Sequence, residues 1–278
     1  RGLGDVYKRQ FIQIVHTNRY LYVTIISSTN YSKSINKSPV RLQKSTGNCL
    51  YQERILLYMN YDSVPLRDFK ELNDWETVIF VYQSALKQVE TKIDILNGEF
   101  QHRHKYNPIE HVKSRIKTPE SIVKKLKRHG YESSIENMVR YVNDIAGIRI
   151  SCSFTSDIYL IADMISKQND LTILARRDYM KNPKKSGYRS YHMLVTTPVF
   201  LSDSIIDTKV EIQIRTVAQD FWATLEHKMH YKFEGDGPDY ITKELRECAR
   251  YVAELDTRME ELNNEIQKYG KLSDKKSP

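Results

Sequence analysis

The sequence predicts an α/β protein of the α+β type, in which helices flank a mixed β-sheet and long helices stand at both ends. Apolar residues recur at three- and four-residue steps over residues 68–102, which is the period of an amphipathic helix. Short runs rich in β-branched residues occupy the middle of the chain and are typical of strands. A long charged segment follows the break at 235–238 and predicts a second long helix.

The elements follow in order along the chain. Helices are predicted at 68–102, 119–129, 134–142, 156–168, 217–233 and 239–269. Strands are predicted at 147–154, 171–179, 190–201 and 208–216, for a sheet of four or five strands. Pro119 suits the first turn of its helix, and 202–207 suits a hairpin turn. In helix 217–233, the residues Phe221, Leu225 and Met229 are expected in the core.

Residues 1–58 show no pattern of this kind and are expected to lie outside the domain formed by 59–278. Two interpretations remain open for them: upstream sequence translated in error, or a poorly ordered native extension. Mass spectrometry of the natively expressed protein would separate the two.

Composition excludes several classes of protein. The 278 residues are 40% hydrophobic and 28% charged, and no run approaches the roughly 18 to 20 apolar residues of a membrane helix. The three cysteines are widely spaced, which fits neither a disulfide framework nor a zinc site. A cytoplasmic protein without a membrane partner is therefore expected.

The net charge of +8 is unevenly distributed. Residues 1–58 hold 9 basic and 2 acidic side chains, so the remainder is nearly balanced. Within that remainder, basic islands occur at 101–130, with 9 basic and 2 acidic residues, and at 176–192, with 6 and 1. Local islands favour a small polyanion over a long nucleic acid.

Strand 208–216 alternates strictly, with Glu211, Gln213 and Arg215 on one face. Asp144 precedes strand 147–154, so two carboxylates approach from neighbouring strand ends among cations. This arrangement suits Mg²⁺ and a triphosphate. No glycine-rich phosphate loop occurs, so side chains would have to hold the phosphates.

Two further segments contain residues that suit ligand binding. The loop 181–189 offers lysines for phosphates and Tyr188 for stacking on a base, although it also reads as a plain basic surface loop. His227 and His230 have a spacing that zinc sites use, but without further ligands packing or hydrogen bonding is the favoured interpretation.

Four motifs together resemble the synthetase domain of the Rel/SpoT homologue family. They are Asp144-Ile-Ala-Gly-Ile-Arg149, Gly187-Tyr-Arg-Ser-Tyr-His192, Glu211-Ile-Gln-Ile-Arg-Thr216 and Phe221-Trp-Ala-Thr-Leu-Glu-His227. The size and the helical ends resemble the small alarmone synthetases of that family. The resemblance implies a nucleotidyltransferase-like fold and GTP diphosphokinase activity. In that reaction the β,γ-pyrophosphate of ATP passes to the ribose 3′-hydroxyl of GDP or GTP, giving guanosine tetra- or pentaphosphate in the stringent response.

The resemblance also implies roles for individual residues. Asp144 and Glu211 would hold Mg²⁺, with Glu211 also taking the proton of the 3′-hydroxyl. The ATP site would consist of Arg115 and Arg149 on the adenine and Lys117 and Lys125 on the phosphates. The GDP or GTP site would consist of Tyr188 on the guanine, Arg177, Lys184 and His192 on the phosphates and transfer zone, and Gln213.

The sequence also bears on hydrolysis of the product, on assembly and on alternative functions. No histidine is followed by Asp, the mark of the family's hydrolase domain, so hydrolysis of the product is not expected. Asp220 stands where some small members have Asn, which puts guanine contacts there in doubt. A homotetramer formed through the terminal helices, and control by RNA or an alarmone, are further implications of the resemblance. A single-stranded RNA-binding regulator is the alternative function, and another nucleotidyltransferase is disfavoured because the Gly-Ser and paired-aspartate signature is absent.

Overall fold

The computed structural model describes residues 10–17, 20–27, 74–104, 106–232 and 239–274. The chain divides into two units, residues 1–60 and 61–278. In the first, β1 (Gln10–Thr17) and β2 (Tyr20–Ser27) form an antiparallel hairpin. The rest of 1–58 lies outside the described residues, and the origin of this segment stays a prediction.

The second unit contains six helices and five strands among its described residues. The helices are α1 (Trp75–His104), α2 (Pro119–Arg128), α3 (Ile135–Tyr141), α4 (Thr155–Ser166), α5 (Val217–Lys232) and α6 (Asp239–Asp274). The strands are β3 (Ile109–Ile116), β4 (Ala146–Cys152), β5 (Thr172–Asp178), β6 (Tyr191–Phe200) and β7 (Ile205–Thr216). None of the described helices combines the length and the apolar character needed to cross a membrane.

The five strands form one mixed sheet in the order β3-β4-β7-β6-β5. The neighbouring strands β4 and β7 run parallel, and the other neighbours pair antiparallel. This confirms the predicted fold class. The apolar face of β7, with Val210, Ile212 and Ile214, joins buried residues of α1 and α4 in one core cluster, so the opposite, polar face is left for chemistry.

Strand β3 was missed by the sequence interpretation, which assigned no element to residues 103–118 and placed them only within the basic island 101–130. Its inward residues Ile109, Val112 and Ile116 are three and four positions apart, a spacing typical of a helix. The cause is an irregularity between Ile109 and His111 that shifts the register against β4. The extra strand matters because it carries Arg115.

The expectation that Phe221, Leu225 and Met229 lie in the core was wrong. Phe221 is 64% exposed, and the other two side chains are also on the surface. The buried residues of α5 are instead Gln219, Trp222 and Ala223, so the apolar stripe of this helix faces outward.

Candidate active site

The polar face of the sheet carries two rows of residues that cross all five strands. Residues opposite one another on neighbouring strands point to the same face. One row is Arg115, Gly147, Glu211, Leu194 and Ala175. The adjacent row is Lys113, Arg149, Gln213, His192 and Arg177. Charged groups from distant parts of the sequence thus form one continuous surface.

A cavity of about 130 Å³ opens on this surface around the two predicted carboxylates. Its lining residues are Lys125, Asn143, Asp144, Ala175, Arg177, His192, Met193, Leu194 and Glu211. Asp144 lies in the loop before β4. Glu211 of β7 pairs with Gly147, the second residue of β4. The two carboxylates that the sequence placed at neighbouring strand ends therefore share one cavity.

Asp144 is held between two lysines. Its Oδ2 atom accepts a hydrogen bond from Lys117 Nζ at 3.0 Å, and its Oδ1 atom accepts one from Lys125 Nζ at 2.7 Å. Burial alone would raise the pKa of this carboxyl, but the two cations outweigh burial and hold the pKa below its ordinary value. Asp144 is therefore an ionised group, and both lysines predicted for ATP phosphates lie within its reach.

Glu211 is also an ionised, half-buried carboxylate. Its Oε2 atom accepts a hydrogen bond from Gln213 Nε2 at 2.8 Å, and its Oε1 atom lies 3.5 Å from His192 Nδ1. Burial again opposes ionisation, but the contacts with His192 and Gln213 keep the pKa below its ordinary value. A carboxylate in this state can accept a proton from a hydroxyl group brought into the cavity.

His192 links Glu211 to the predicted guanine-stacking residue. The hydroxyl of Tyr188 lies 2.9 Å from His192 Nε2, on the opposite side of the imidazole from Glu211. Burial lowers the pKa of His192, and the contact with Glu211 only partly offsets this. A neutral ring with its proton on Nδ1 fits both contacts. Nδ1 then faces Glu211 with its proton, and Nε2 accepts a hydrogen bond from the tyrosine hydroxyl.

Tyr188 lies among cations near the end of the basic loop predicted at 181–189. The Nζ atom of Lys184 is 4.6 Å from the centroid of the tyrosine ring, and Cζ of Arg215 is 5.8 Å from it. Lys184 also lies 4.9 Å from the ring of Tyr179. An aromatic ring surrounded by cations suits a ligand that combines a flat base with phosphates.

The two predicted nucleotide sites lie on the same face of the sheet, on opposite sides of strand β7. Arg115 and Arg149 lie on β3 and β4, on one side of Glu211, and Arg177 and His192 lie on β5 and β6, on the other side. Glu211 belongs to β7, the strand between these two halves. The residues predicted for ATP and those predicted for the guanine nucleotide therefore lie on opposite sides of Glu211, the predicted general base.

Comparison with known proteins identifies the family of this chain. Residues 114–236 match the family model described as a region found in RelA / SpoT proteins. The GTP pyrophosphokinase YwaC of Bacillus subtilis (strain 168) is 45% identical over 195 residues, which cover 70% of this chain and 93% of that relative. The chain belongs to the RelA/SpoT family.

Solved structures of the family share the fold. The small alarmone synthetase 2 of Bacillus subtilis has a TM-score of 0.63 and 44% identity, covering 69% of this chain and 99% of that one. The small alarmone synthetase 1 of the same organism, bound to its product pppGpp, has a TM-score of 0.65 and 34% identity. That match covers 69% of this chain and 98% of the other. The chain thus spans nearly the full length of both small synthetases.

Within this RelA/SpoT domain, Asp220 is a residue whose place the sequence interpretation left in doubt. Its carboxylate lies 3.5 Å from Arg149, 3.4 Å from Arg215 and 3.9 Å from Lys113. Arg149 is one of the residues predicted for ATP, whereas Arg215 lies 5.8 Å from the ring of Tyr188. Asp220 therefore pairs with a predicted ATP residue and with the cation beneath the predicted guanine-stacking ring.

Lys209 is a residue near the cavity for which the sequence predicted no role. It lies two positions before Glu211 on the same face of β7, is almost fully buried, and donates hydrogen bonds to the Arg140 carbonyl and to Asn143 Oδ1. Burial lowers its pKa to about 8. Asn143 adjoins Asp144, so Lys209 fixes the loop that carries this carboxylate. The only sequence signal for this role is the presence of a lysine within a strand that is otherwise largely buried.

The zinc interpretation gains no support from the described residues. Within residues 74–104, 106–229 and 239–268, no group of three side chains could hold a metal ion. His227 is exposed on α5, and the side chain of His230 lies outside the described residues.

Proposed function

We propose that this chain is a GTP pyrophosphokinase that transfers the β,γ-pyrophosphate of ATP to the 3′-hydroxyl of GDP or GTP. The observation that carries the proposal is the position of Glu211 on the strand between the two halves of the polar face. Membership of the RelA/SpoT family and the similarity to a synthetase bound to pppGpp support the same reaction.

In this proposal the donor half binds ATP. Arg115 and Arg149 lie diagonally across the β3–β4 pair, because Arg115 is opposite Gly147 and Arg149 follows two residues later. Two flat guanidinium groups at this spacing suit the two faces of an adenine ring. Lys117 and Lys125 both form ion pairs with Asp144, and these two cations suit the phosphates of ATP.

The acceptor half binds the guanine nucleotide. Tyr188 stacks on the base, while Lys184, Arg177 and His192 face its phosphates and ribose from the loop, β5 and β6. Gln213 lies between His192 and Arg149 in the same row and completes the pocket floor. Stacking and phosphate contacts from separate elements explain how one site recognises both parts of the nucleotide.

The reaction needs little covalent work by the protein. Glu211 accepts the proton of the 3′-hydroxyl, and the 3′-oxygen attacks the β-phosphorus of ATP. The bond from the β-phosphorus to the bridging oxygen of the α-phosphate breaks, and AMP leaves with that oxygen and its electron pair. The surrounding cations balance the charge that develops on the phosphate oxygens.

The carboxylates also fit a divalent cation. Asp144 and Glu211 are both ionised and line the same cavity, and Mg²⁺ prefers a few carboxylate oxygens together with phosphates and water. These two residues would hold the Mg²⁺ of the ATP complex, and the ion would supply charge neutralisation on the pyrophosphate.

A homotetramer is the proposed assembly. α6 leaves Leu255, Met259, Leu262 and Ile266 exposed at alternating four- and three-residue steps, which is the spacing of a helix that packs on another helix. Phe221 of α5 adds to the exposed apolar surface. We assign a cytoplasmic location, because the substrates are cytoplasmic nucleotides and the described cysteines, Cys152 and Cys248, are free thiols.

The RNA-binding alternative is less well supported. Cations from both basic islands, including Lys125 and Arg177, line the same small cavity as the carboxylates. This arrangement favours a compact phosphorylated ligand over an extended strand. Control of the enzyme by RNA or by an alarmone stays a prediction.

The proposal is tested by acceptor analogues. The protein is incubated with ATP labelled on its γ-phosphate, Mg²⁺ and either GDP or its 3′-deoxy analogue. Label is expected in a more phosphorylated guanine nucleotide with GDP only. Equal transfer to the 3′-deoxy compound would rule out the 3′-hydroxyl as the acceptor, and transfer to neither would reject the activity.

A further inference from the structure

The loop that carries Tyr188 rests on a small apolar cluster that lies apart from the main core. Trp222 and Ala223 of α5 and Ala249 of α6 are its buried members, and Tyr188 and Val252 pack against them. The predicted guanine-stacking ring is therefore supported from below by the two C-terminal helices rather than by the sheet alone.

The loop approaches α6 closely at Gly187 and Ala249. Gly187 has a φ of +91°, in the left-handed region that favours glycine. A Cβ atom placed on Gly187 would lie only 2.5 Å from the Cβ of Ala249, far inside van der Waals contact. Ala249 itself is 5% exposed. The loop backbone can settle on the helix here because both residues are small.

α6 is in turn fixed to the strand that carries Glu211. Asp256 accepts hydrogen bonds from Thr216 Oγ1 at 2.8 Å and Gln219 Nε2 at 2.7 Å, where β7 ends and α5 begins. Trp222 Nε1 donates to the Leu245 carbonyl at 2.9 Å. Through these contacts the helix holds one fixed position relative to β7, and the loop takes its position from the helix.

A groove of about 750 Å³ borders the contact between Gly187 and Ala249 and is separate from the catalytic cavity. It runs between the loop, at Pro183 and Arg189, and the exposed face of α6, and it includes both Ala249 and Ala253. It lacks the carboxylates of the catalytic cavity. Ala253 lies one helical turn from Ala249 on this face, so it shares the helix and the groove without the close approach to Gly187.

We propose that Ala249 is a positioning residue for the acceptor nucleotide, which sets the place of Tyr188 relative to Glu211 through its contact with Gly187. A larger side chain at 249 pushes the loop outward and displaces the stacking ring, whereas Arg115 and Arg149 lie on β3 and β4, outside this loop. The inference rests on the proposed function only in taking Tyr188 to stack on guanine.

The kinetic test compares Ala249→Leu with Ala253→Leu. Ala249→Leu is expected to raise KM for GDP about tenfold or more, because displacements of about an ångström in a positioning contact have effects of this size, while KM for ATP stays near its wild-type value. Ala253→Leu makes the same change one turn away and is expected to leave both constants unchanged. Equal KM values for GDP in wild type and Ala249→Leu, or a parallel rise in both constants, would overturn the proposal.

A binding measurement separates this proposal from the proposed function. Trp75 and Trp222 are the two tryptophans of the chain, so Trp75→Phe leaves Trp222 as a reporter within the cluster. Titration with GDP alone is expected to change its emission saturably, with the midpoint raised about tenfold by Ala249→Leu. An emission that saturating GDP leaves unchanged would contradict the proposal, even if Ala249→Leu does not fold. Failure of pyrophosphate transfer would instead count against the proposed activity. The GDP titration would still test whether Ala249 positions Tyr188.

Discussion

The hydroxyl of Tyr188 lies 2.9 Å from Nε2 of His192. The other nitrogen of the same imidazole faces Glu211 at 3.5 Å. The aromatic ring assigned to guanine and the carboxylate assigned to the 3′-hydroxyl are thus joined through one neutral histidine. This short connection places base recognition and proton acceptance within one set of contacts.

Tyr188→Ala is expected to raise KM for GDP by roughly 5- to 100-fold, because stacking on an aromatic ring contributes about 1–3 kcal/mol per base. KM for ATP should change little, since Arg115 and Arg149 lie on the other half of the sheet. Steady-state kinetics with each substrate varied in turn measures both constants.

Tyr188→Phe is the matched control for that change. It keeps the ring and removes only the hydroxyl that contacts His192, so most of the guanine affinity should remain. Equal effects of Tyr188→Ala on both substrates would reject the stacking role.

Asp220→Asn should show the opposite split between the substrates. The carboxylate lies within ion-pair distance of Arg149 and Arg215, and the amide keeps its shape while losing the charge. We expect KM for ATP to rise about threefold to tenfold, the effect of losing roughly 1 kcal/mol of orientation of Arg149. Isothermal titration with a non-hydrolysable ATP analogue gives a direct check, and a selective loss of GDP affinity would place Asp220 on the wrong side of the site.

Lys209 gives a prediction about stability and pH. Burial lowers its pKa to about 8 in the folded protein, whereas a lysine in an unfolded chain titrates near a pKa of about 10.4. Between these values the unfolded chain binds more protons, so the contribution of Lys209 to the free energy of unfolding rises with pH. Below about pH 8 both states are protonated and this dependence disappears.

The variant Lys209→Met removes that titration. The free energy of unfolding of wild type minus that of the variant should therefore rise by up to about 1 kcal/mol per pH unit from about pH 8 to about pH 10. Urea unfolding of both proteins across this range measures the difference, and other titrating groups cancel in the comparison. A difference that does not vary with pH would show that the lysine titrates normally.

Leu255→Glu combined with Leu262→Glu tests the proposed assembly. Both side chains are exposed on α6, so the charges should leave the fold of one chain intact while disrupting helix packing between chains. Light scattering coupled to gel filtration should find a tetramer in wild type and smaller species in the double variant. A monomeric wild type, or a double variant of unchanged mass, would remove this face from the assembly.

Much of the fold could be predicted from the sequence because its periodicities are regular. The alternation of β7 gave both its buried face and the polar face with Glu211 and Gln213, and the four family motifs located the cavity. Strand β3 was missed because a register shift after Ile109 gives its apolar residues a helical spacing. Local pattern carries no information on such an irregularity.

Other features depend on tertiary contacts that no local pattern records. Arg215 belongs to a polar face that would ordinarily be solvated, yet it is 1% exposed beneath Tyr188. The double pairing of Asp144 with Lys117 and Lys125 joins three separate elements. The outward face of α5, with Phe221, could not be distinguished from a core face, because both have the same apolar spacing.

Glu211→Gln is the variant on which the catalytic role depends. The substitution is nearly isosteric, so the protein should fold with its contact to Gln213 altered but its strand pairing intact. Loss of the charge should lower the rate by at least roughly 10²- to 10⁴-fold, the usual contribution of a general base. An initial-rate assay, with circular dichroism as the control for folding, measures this loss, and a retained rate would remove Glu211 from the mechanism.

Transfer of an intact pyrophosphate at this site can be distinguished from other transfers by the products of one reaction. Wild-type protein is incubated with ATP, GDP and Mg²⁺, and all nucleotides are separated and quantified by anion-exchange chromatography. We expect AMP and guanosine tetraphosphate in equal amounts. ADP formed together with GTP would show transfer of a single phosphate and would rule out pyrophosphate transfer, as would the absence of any new guanine nucleotide.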